Sequence, residues 1–459
     1  MNKFLKSRME DAKAVVSELS KTFSYVSVLG THEKVAKVIS STYSSAINSG
    51  ETNCGFAIKV YNGEYYSEYA CNDIRGLDLE AVKEAVKLSA LKQEHVDVKA
   101  LNEEELTKSF ERTDEHPLDN EVILERLTAI REKAQKFDGR VINVTAVHMK
   151  REVSEIFVSQ KKCLNQYYTW TNFALNVTVR DGDNIKSGRD SSNNTDTAKA
   201  LEGLENMADA ICGNAVDMLK SKPVVPGYYD IITDPSITGL IAHEAFGHGV
   251  EMDMFVKHRA KAADYVGKYV ASPIVNMRDG AAGVISSGSY FFDDDGVLAH
   301  DTEIIRDGIL ITGISDLLSA SQLGTEPTGN GRRQGFDRKS YTRMTNTYFC
   351  EGKDKLEDMI ASVEHGYLLC KTNNGMEDPK NWQIQCTAEY GLEIKNGKFT
   401  GEIVSPVVIS GSVLDLLGSI SMISDEKEIE GYGMCGKGYK EWVYVSDGGP
   451  YLKARAKLG

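Results

Sequence analysis

The sequence predicts an α+β protein, with an N-terminal domain of mixed α and β structure over residues 1–222 and a β-rich C-terminal domain over residues 223–459. Three observations predict it. The long stretches with apolar residues at helical spacing, ending with residues 197–219, all precede Ser221-Lys222-Pro223, whose proline marks a boundary. Downstream, short runs of β-forming residues are separated by Asp295-Gly296, Asp307-Gly308 and Asn396-Gly397. The main helical signal in that second half is short, begins at Asp234-Pro235, and carries the motif His243-Glu244-Ala245-Phe246-Gly247-His248.

The elements follow in chain order. Phe4, Leu5, Met9, Ala12, Val15, Val16 and Leu19 recur at helical spacing and predict an amphipathic first helix. Residues 25–29, 35–39 and 56–61 read as strands, the last joined through Asn62-Gly63 to a strand over 65–70, because Asn-Gly supplies the positive φ angles of a tight hairpin turn. Residues 77–91 return to helical spacing. The charged passage 94–118 reads as a connection with some helix in it. A helix over 120–137 follows, capped by Asp119 or Asn120 and presenting Leu124, Leu127 and Ile130 on one face. Strands are expected at 141–149, 154–160 and 167–180, the last ending at Asp181-Gly182-Asp183, and a strand at 228–233 precedes the motif helix. Short helices are expected near 315–322, 355–364 and 413–421.

Composition narrows the function classes. The 459 residues carry a formal net charge of −14, which opposes an electrostatic footprint on nucleic acid, and no basic stripe offsets it. The eight cysteines contain no Cys-x-x-Cys pair, which argues for reduced thiols. The N-terminus has no apolar core of signal-peptide length, and the most apolar stretch, 403–423, is broken by Pro406 and Asp415. The expectation is a cytoplasmic protein that contacts neither membrane nor nucleic acid.

The motif brings the chemistry. Two imidazoles flanking a carboxylate are what a zinc hydrolase needs: neutral nitrogen ligands, and an unligated glutamate to take the proton of the attacking water. The familiar spacing places the second histidine four residues after the first; here it is five. At about 100° per residue, i and i+5 lie about 140° apart, so an ideal α-helix cannot aim both rings at one ion. A local π-type turn restores a shared face, and Gly247 and Gly249 ease the distortion. Spacing does not choose the third ligand. Glu251 and Asp253 are near but need further distortion. Cys435 sits among Gly433, Gly436 and Gly438, beside a Lys437 expected to favour its thiolate.

Other signals carry less. Gly431–Gly438 fits a phosphate-loop pattern but has glycine where serine or threonine should follow the lysine. Gly329–Gly335 has one residue too many for a dinucleotide loop. Asp293-Asp294-Asp295-Gly296 reads as a solvated hairpin turn. His32, His95 and His148 have no acidic or thiol companion at ligand spacing, and His258 reads as a surface helix position.

The run from Asp234 to Glu251 resembles the core signature of the TldD/PmbA peptidases, on their metal-bearing TldD side. Val270-Ala271-Ser272-Pro273, Asp294-Asp295-Gly296, Pro327-Thr328-Gly329-Asn330-Gly331-Arg332-Arg333, Arg343-Met344-Thr345-Asn346-Thr347-Tyr348, Cys435-Gly436-Lys437 and, early in the chain, residues 55–60 extend the resemblance in order. It implies a zinc peptidase acting on unstructured peptides, with His243, His248 and Cys435 as ligands and Glu244 as base. Asn330, Arg332 and Arg333 are then expected on the substrate side. It also implies a homodimer, or pairing with a metal-free PmbA/TldE-like paralogue. Two stretches depart from the family pattern: residues 438–442, and Asn373-Asn374-Gly375-Met376-Glu377-Asp378-Pro379. The alternative reading is a non-catalytic regulator or scaffold with a structural metal.

Overall fold

The structure, a computed structural model, describes residues 1–62, 66–90, 103–438 and 440–459. Helix α1 (Lys3–Leu19) starts at Asn2, whose side-chain oxygen accepts from Phe4 N at 2.8 Å, and its expected apolar face buries Leu5, Ala12, Val15, Val16 and Leu19. That face packs on β1 (Tyr25–Ser41) and β2 (Ser45–Tyr61), where Val26, Val28, Phe56 and Ile58 complete the cluster. β3 (Tyr66–Cys71) pairs with β2, with Tyr66 opposite Tyr61, and α2 (Leu79–Ala90) follows. Gly63 of the expected turn, and His95, lie outside the described residues.

β4 (Leu106–Arg112), α3 (Asn120–Gln135), β5 (Val141–Ser159), β6 (Lys162–Asp181), β7 (Asn184–Asn194) and α4 (Thr197–Met218) complete the first half. The sheet order is β3-β2-β1-β5-β6-β4, with β7 also on β6. Strands expected as pairs of short runs are single long strands. The charged interval that seemed to divide 141–160 stays in register because its charges find partners across the sheet: Arg151 meets Glu33 of β1 at 2.7 Å. β4 occupies part of the passage expected to hold helix, and β7 has no apolar alternation to announce it. Both are fixed by backbone pairing to β6, which periodicity does not record.

The second half holds β8 (Gly227–Thr233), α5 (Pro235–Leu240), α6 (Met252–Val256), β9 (Met277–Asp279), β10 (Thr302–Arg306), β11 (Ile309–Leu310) and α7 (Leu317–Leu323). Then come β12 (Gly331–Arg332), β13 (Tyr341–Thr342), β14 (Asn346–Phe349), α8 (Leu356–Ala361), β15 (His365–Asp378), β16 (Gln383–Lys395) and β17 (Lys398–Val404). The last elements are β18 (Val407–Ser412), α9 (Val413–Gly418), β19 (Met422–Lys437) and β20 (Lys440–Leu458). β8 pairs with both β15 and β20, so β8, β15, β16, β18 and β20 close on themselves. Closure removes free edges from the strands that surround the largest apolar cluster, which includes Ile231, Ile237, Phe246, Leu369, Trp382 and Leu452.

The two halves meet over an extensive polar and aromatic surface. Gln166 donates to Phe292 O at 2.9 Å, Trp170 to Gly431 O at 3.2 Å, and Arg189 pairs with Glu389 at 2.7 Å. The aspartate turn expected in solvent lies at this contact instead. Asp293 and Asp295 are 1% and 2% exposed. Asp293 accepts from the backbone of Gly331 and Val297, Asp294 from Arg333 N, and Asp295 pairs with Lys59. Burial there is tolerable because each carboxylate is met by donors. His258 departs from expectation too: it follows α6 with φ 53°, outside any helix.

Candidate metal centre

α5 begins at Asp234, whose carboxylate accepts from Ile237 N at 2.8 Å and from Lys371 N at 2.9 Å, with Pro235 in the first turn. One end of the helix is thereby fixed to β15. Residues Ile241–Gly247 then form the π turn that the five-residue spacing demands, and the His248 N–H bonds to the His243 carbonyl. The wider turn brings the two rings together, with centroids 5.1 Å apart and planes at 88°. A Cβ on Gly247 would run into the Met344 sulfur, so that side chain would have to move.

Cys435 enters from β19, opposite Val443 of β20. Its sulfur lies 3.4 Å from Nε2 of His248, and the donor atoms of His243, His248 and Cys435 all lie within 4.8 Å of one another. Nδ1 of His243 is buried without a hydrogen-bond partner. Burial alone would push the His243 imidazole down, but the Cys435 sulfur beside it outweighs burial and holds it at about 9. His248 is held well above the ordinary range by the same contest. Burial opposes the Cys435 thiolate, yet the two imidazoles hold that thiol well below its usual range. Lys437 plays no direct part in this, contrary to expectation: its ammonium goes to Glu251 at 3.0 Å, Asp253 at 2.7 Å and Thr342 O at 3.1 Å.

Two nitrogens and a thiolate converging on one point are a donor set suited to zinc, with room in a tetrahedron for a fourth ligand. Glu251 supports this set from behind. Its carboxylate faces His248 Nδ1 at 3.6 Å and Arg343 Nε at 3.5 Å as well as Lys437. Burial disfavours its charge, but Lys437, His248 and Arg343 outweigh that and hold the carboxyl well below the ordinary range. Arg343, fully buried, also donates to Cys435 O at 2.8 Å and to Glu441 O. Histidine, lysine and arginine therefore share one buried carboxylate beside the ring of His248. Glu251, near enough in sequence to be considered a ligand, instead stands beside the His248 ring with Arg343, a residue that no motif singles out; the three-residue step from His248 to Glu251 is the signal in the sequence.

Glu244 follows His243 on the π turn, and β15 passes so close that a Cβ on Gly375 would stand 2.5 Å from Glu244 Cγ. Two further acids approach. Glu377 lies beside Gly249, its carboxylate oxygens buried without partners, and burial pushes that carboxyl well above its usual range. Asp447 of β20 is pushed up to about 6 by burial.

The three residues expected on the substrate side are engaged by groups of the protein itself. Asn330 is 1% exposed; its amide donates to Asp279 and to Arg343 O, and its oxygen accepts from Thr328, so nothing is left to offer a ligand. Arg332 donates to Met344 O and Tyr444 O, both at 2.7 Å. Arg333 is bound to Glu68 and Arg338 O. Both arginines line a cavity of about 340 Å³ between the halves, with Arg151, Glu155, Asp294 and Val443, the residue opposite Cys435. Their side chains brace that contact.

The β-rich half of this α+β fold thus holds a two-imidazole, one-thiolate cluster that could hold a metal ion, beside a glutamate. Residues 226–456 match the family model of the PmbA/TldA metallopeptidase C-terminal domain. A metalloprotease of Methanothermobacter thermautotrophicus is 29% identical over 89% of this chain and 89% of its own length. A zinc metalloprotease TldD homolog of Saccharolobus solfataricus is 30% identical over 52% of this chain and 53% of its own. The solved structure of TldE from Thermococcus kodakarensis has the same fold, with a TM-score of 0.75 over 98% of this chain and all of that one at 18% identity. The chain belongs to the PmbA/TldD metallopeptidase family.

Proposed function

We propose that this chain is a zinc-dependent peptidase that hydrolyses unstructured peptides with low sequence selectivity, with His243, His248 and Cys435 as ligands and Glu244 as general base. The observation that carries the reading is the convergence of those three donors within 4.8 Å, with the glutamate next in sequence on the same π turn. Zinc held there would polarise the scissile carbonyl and lower the pKa of water toward about 7. Glu244 takes the proton of the attacking water on its carboxylate and returns it to the leaving amine. Glu251 keeps the His248 ring oriented, and the buried thiolate adds negative charge, which favours slow and permissive cleavage.

Low selectivity fits a peptide held by main-chain hydrogen bonds along a strand. A groove of about 670 Å³ lies between the halves, lined by Asn176, Arg189, Asp190, Ser236, Lys371 and Thr372. β15 runs from this groove at Thr372 to Gly375, against Glu244. In this reading the chain works as a homodimer or beside a metal-free PmbA/TldE-like paralogue, alternatives that native mass spectrometry separates.

The test is Glu244→Gln in the zinc-loaded protein, assayed on unfolded peptides of graded length. Cleavage should fall at least a hundredfold while zinc at His243, His248 and Cys435 is retained. Undiminished cleavage would remove Glu244 as base, and a wild-type protein inert toward every peptide would favour a structural metal.

A further inference from the structure

We propose that His32, Glu51 and Cys54 form a second zinc site, on the N-terminal sheet and independent of the centre that carries the peptidase reading. The geometry that assembles it is a β-bulge. His32 of β1 is directly opposite Cys54 of β2, and Glu33 is opposite Asn53; the register then slips, so that Lys34 faces Glu51 and Thr52 is left over. In a regular strand, residues three apart point to opposite faces. The extra residue reverses that parity, bringing Glu51 onto the face shared by His32 and Cys54. Bulges re-aim side chains in this way next to functional sites.

The resulting donors are close. His32 Nε2 lies 2.9 Å from Glu51 Oε1, Cys54 Sγ lies 3.9 Å from Glu51 Oε2, and all three donor atoms fall within 4.8 Å of one another. Bond lengths of about 2.0–2.3 Å in a tetrahedron put ligand atoms roughly 3.3–3.6 Å apart, so the two separations from Glu51 are each within about half an ångström of those a bound ion needs. His32 is 8% exposed, whereas the Glu51 side chain is 65% exposed. The imidazole is therefore fixed within the sheet while the carboxylate closes from solvent, leaving the fourth position for water. One imidazole, one thiolate and one carboxylate suit zinc better than a hard cation, which takes oxygen ligands alone. A hydrogen bond between His32 and Glu51 needs no sulfur; Cys54, directly opposite His32, supplies one.

The consequence is two zinc ions per chain, one of them clamping the long β1–β2 hairpin at its irregular point. The test reads Cys54 itself. Alkylation of the folded, full-length protein with iodoacetamide, followed by peptide mapping, should be slowed at least tenfold at Cys54 by stoichiometric zinc. A chelator should restore the rate, and His32→Ala and Glu51→Gln should each abolish the protection. Zinc content should fall from two to one per chain in Cys54→Ser. A His243→Ala/Cys435→Ala double variant should keep one ion, so loss of the central site is read separately. Equal alkylation of Cys54 with and without zinc in the wild type would overturn the proposal and leave the peptidase reading untouched.

Discussion

Nδ1 of His248 stands 3.6 Å from Oε2 of Glu251, on the side of the ring away from Cys435. A buried carboxylate in that position is expected to favour the orientation in which the other nitrogen faces an ion. Glu251→Gln removes the charge while preserving shape. Zinc affinity should fall by about 10–100-fold, the usual loss when a ligand's supporting carboxylate is removed. Competition with a chromophoric chelator measures it. An unchanged affinity would mean that packing alone orients His248.

Gly375 is the point where β15 touches the proposed base. In Gly375→Ala the new methyl group meets Glu244 Cγ at 2.5 Å and Leu240 Cδ1 at 2.9 Å, so the glutamate must move. Displacing a reacting group by about an ångström costs on the order of a hundredfold in rate. The kcat for peptide cleavage should fall by that order while zinc content stays at the wild-type value. A fall in both would point to collapse of the metal centre.

Gly247 tests the π turn. Gly247→Ala should destabilise the protein by about 1–3 kcal/mol, the range for forcing a methyl group into a packed interior, because Met344 blocks the space. Chemical denaturation measures the loss. In a Met344→Ala background the same substitution should cost much less, since the blocking sulfur is gone.

His148 predicts a response to acid. It is 1% exposed, stacked on Phe173 with centroids 4.3 Å apart, and hydrogen-bonded to Thr171 at 2.8 Å. Burial, with Lys150 adding to it, pushes its imidazole down to about 4. Between about pH 6.5 and 4 the unfolded chain binds a proton that the folded one refuses, so stability is present above 6.5 and is lost as pH falls through 4. The full loss is on the order of 3 kcal/mol. Thermal melts across that range should show the decline in wild type, and His148→Leu should remove this component.

Much of the architecture was legible because it rests on local patterns. The apolar spacing from Phe4 to Leu19 identified α1, and Asp234-Pro235 announced the start of α5. β4 and β7 escaped because their pairing to β6 is made by backbone groups that leave no trace in side-chain alternation. Asp293 and Asp295 misled for a related reason: polarity suggests solvent, but Lys59 and the backbone of Gly331 stand ready from elsewhere in the chain. Arg332 and Arg333 stand in a run shared with a peptidase family, yet their guanidinium groups serve internal carbonyls and carboxylates.

By itself the sequence determined that His243 and His248 need a π turn to share a face, because five residues of ordinary helix leave the rings about 140° apart. It also held the order of helices and strands wherever apolar residues kept a regular period. Only the tertiary structure decided that Cys435, 187 residues beyond His248, stands 3.4 Å from its ring, and that Glu251 rather than solvent lies behind it. Local periodicity is written in neighbouring residues, whereas donors on distant strands meet only when the pairing of β19 with β20 and the packing of α5 have fixed their positions.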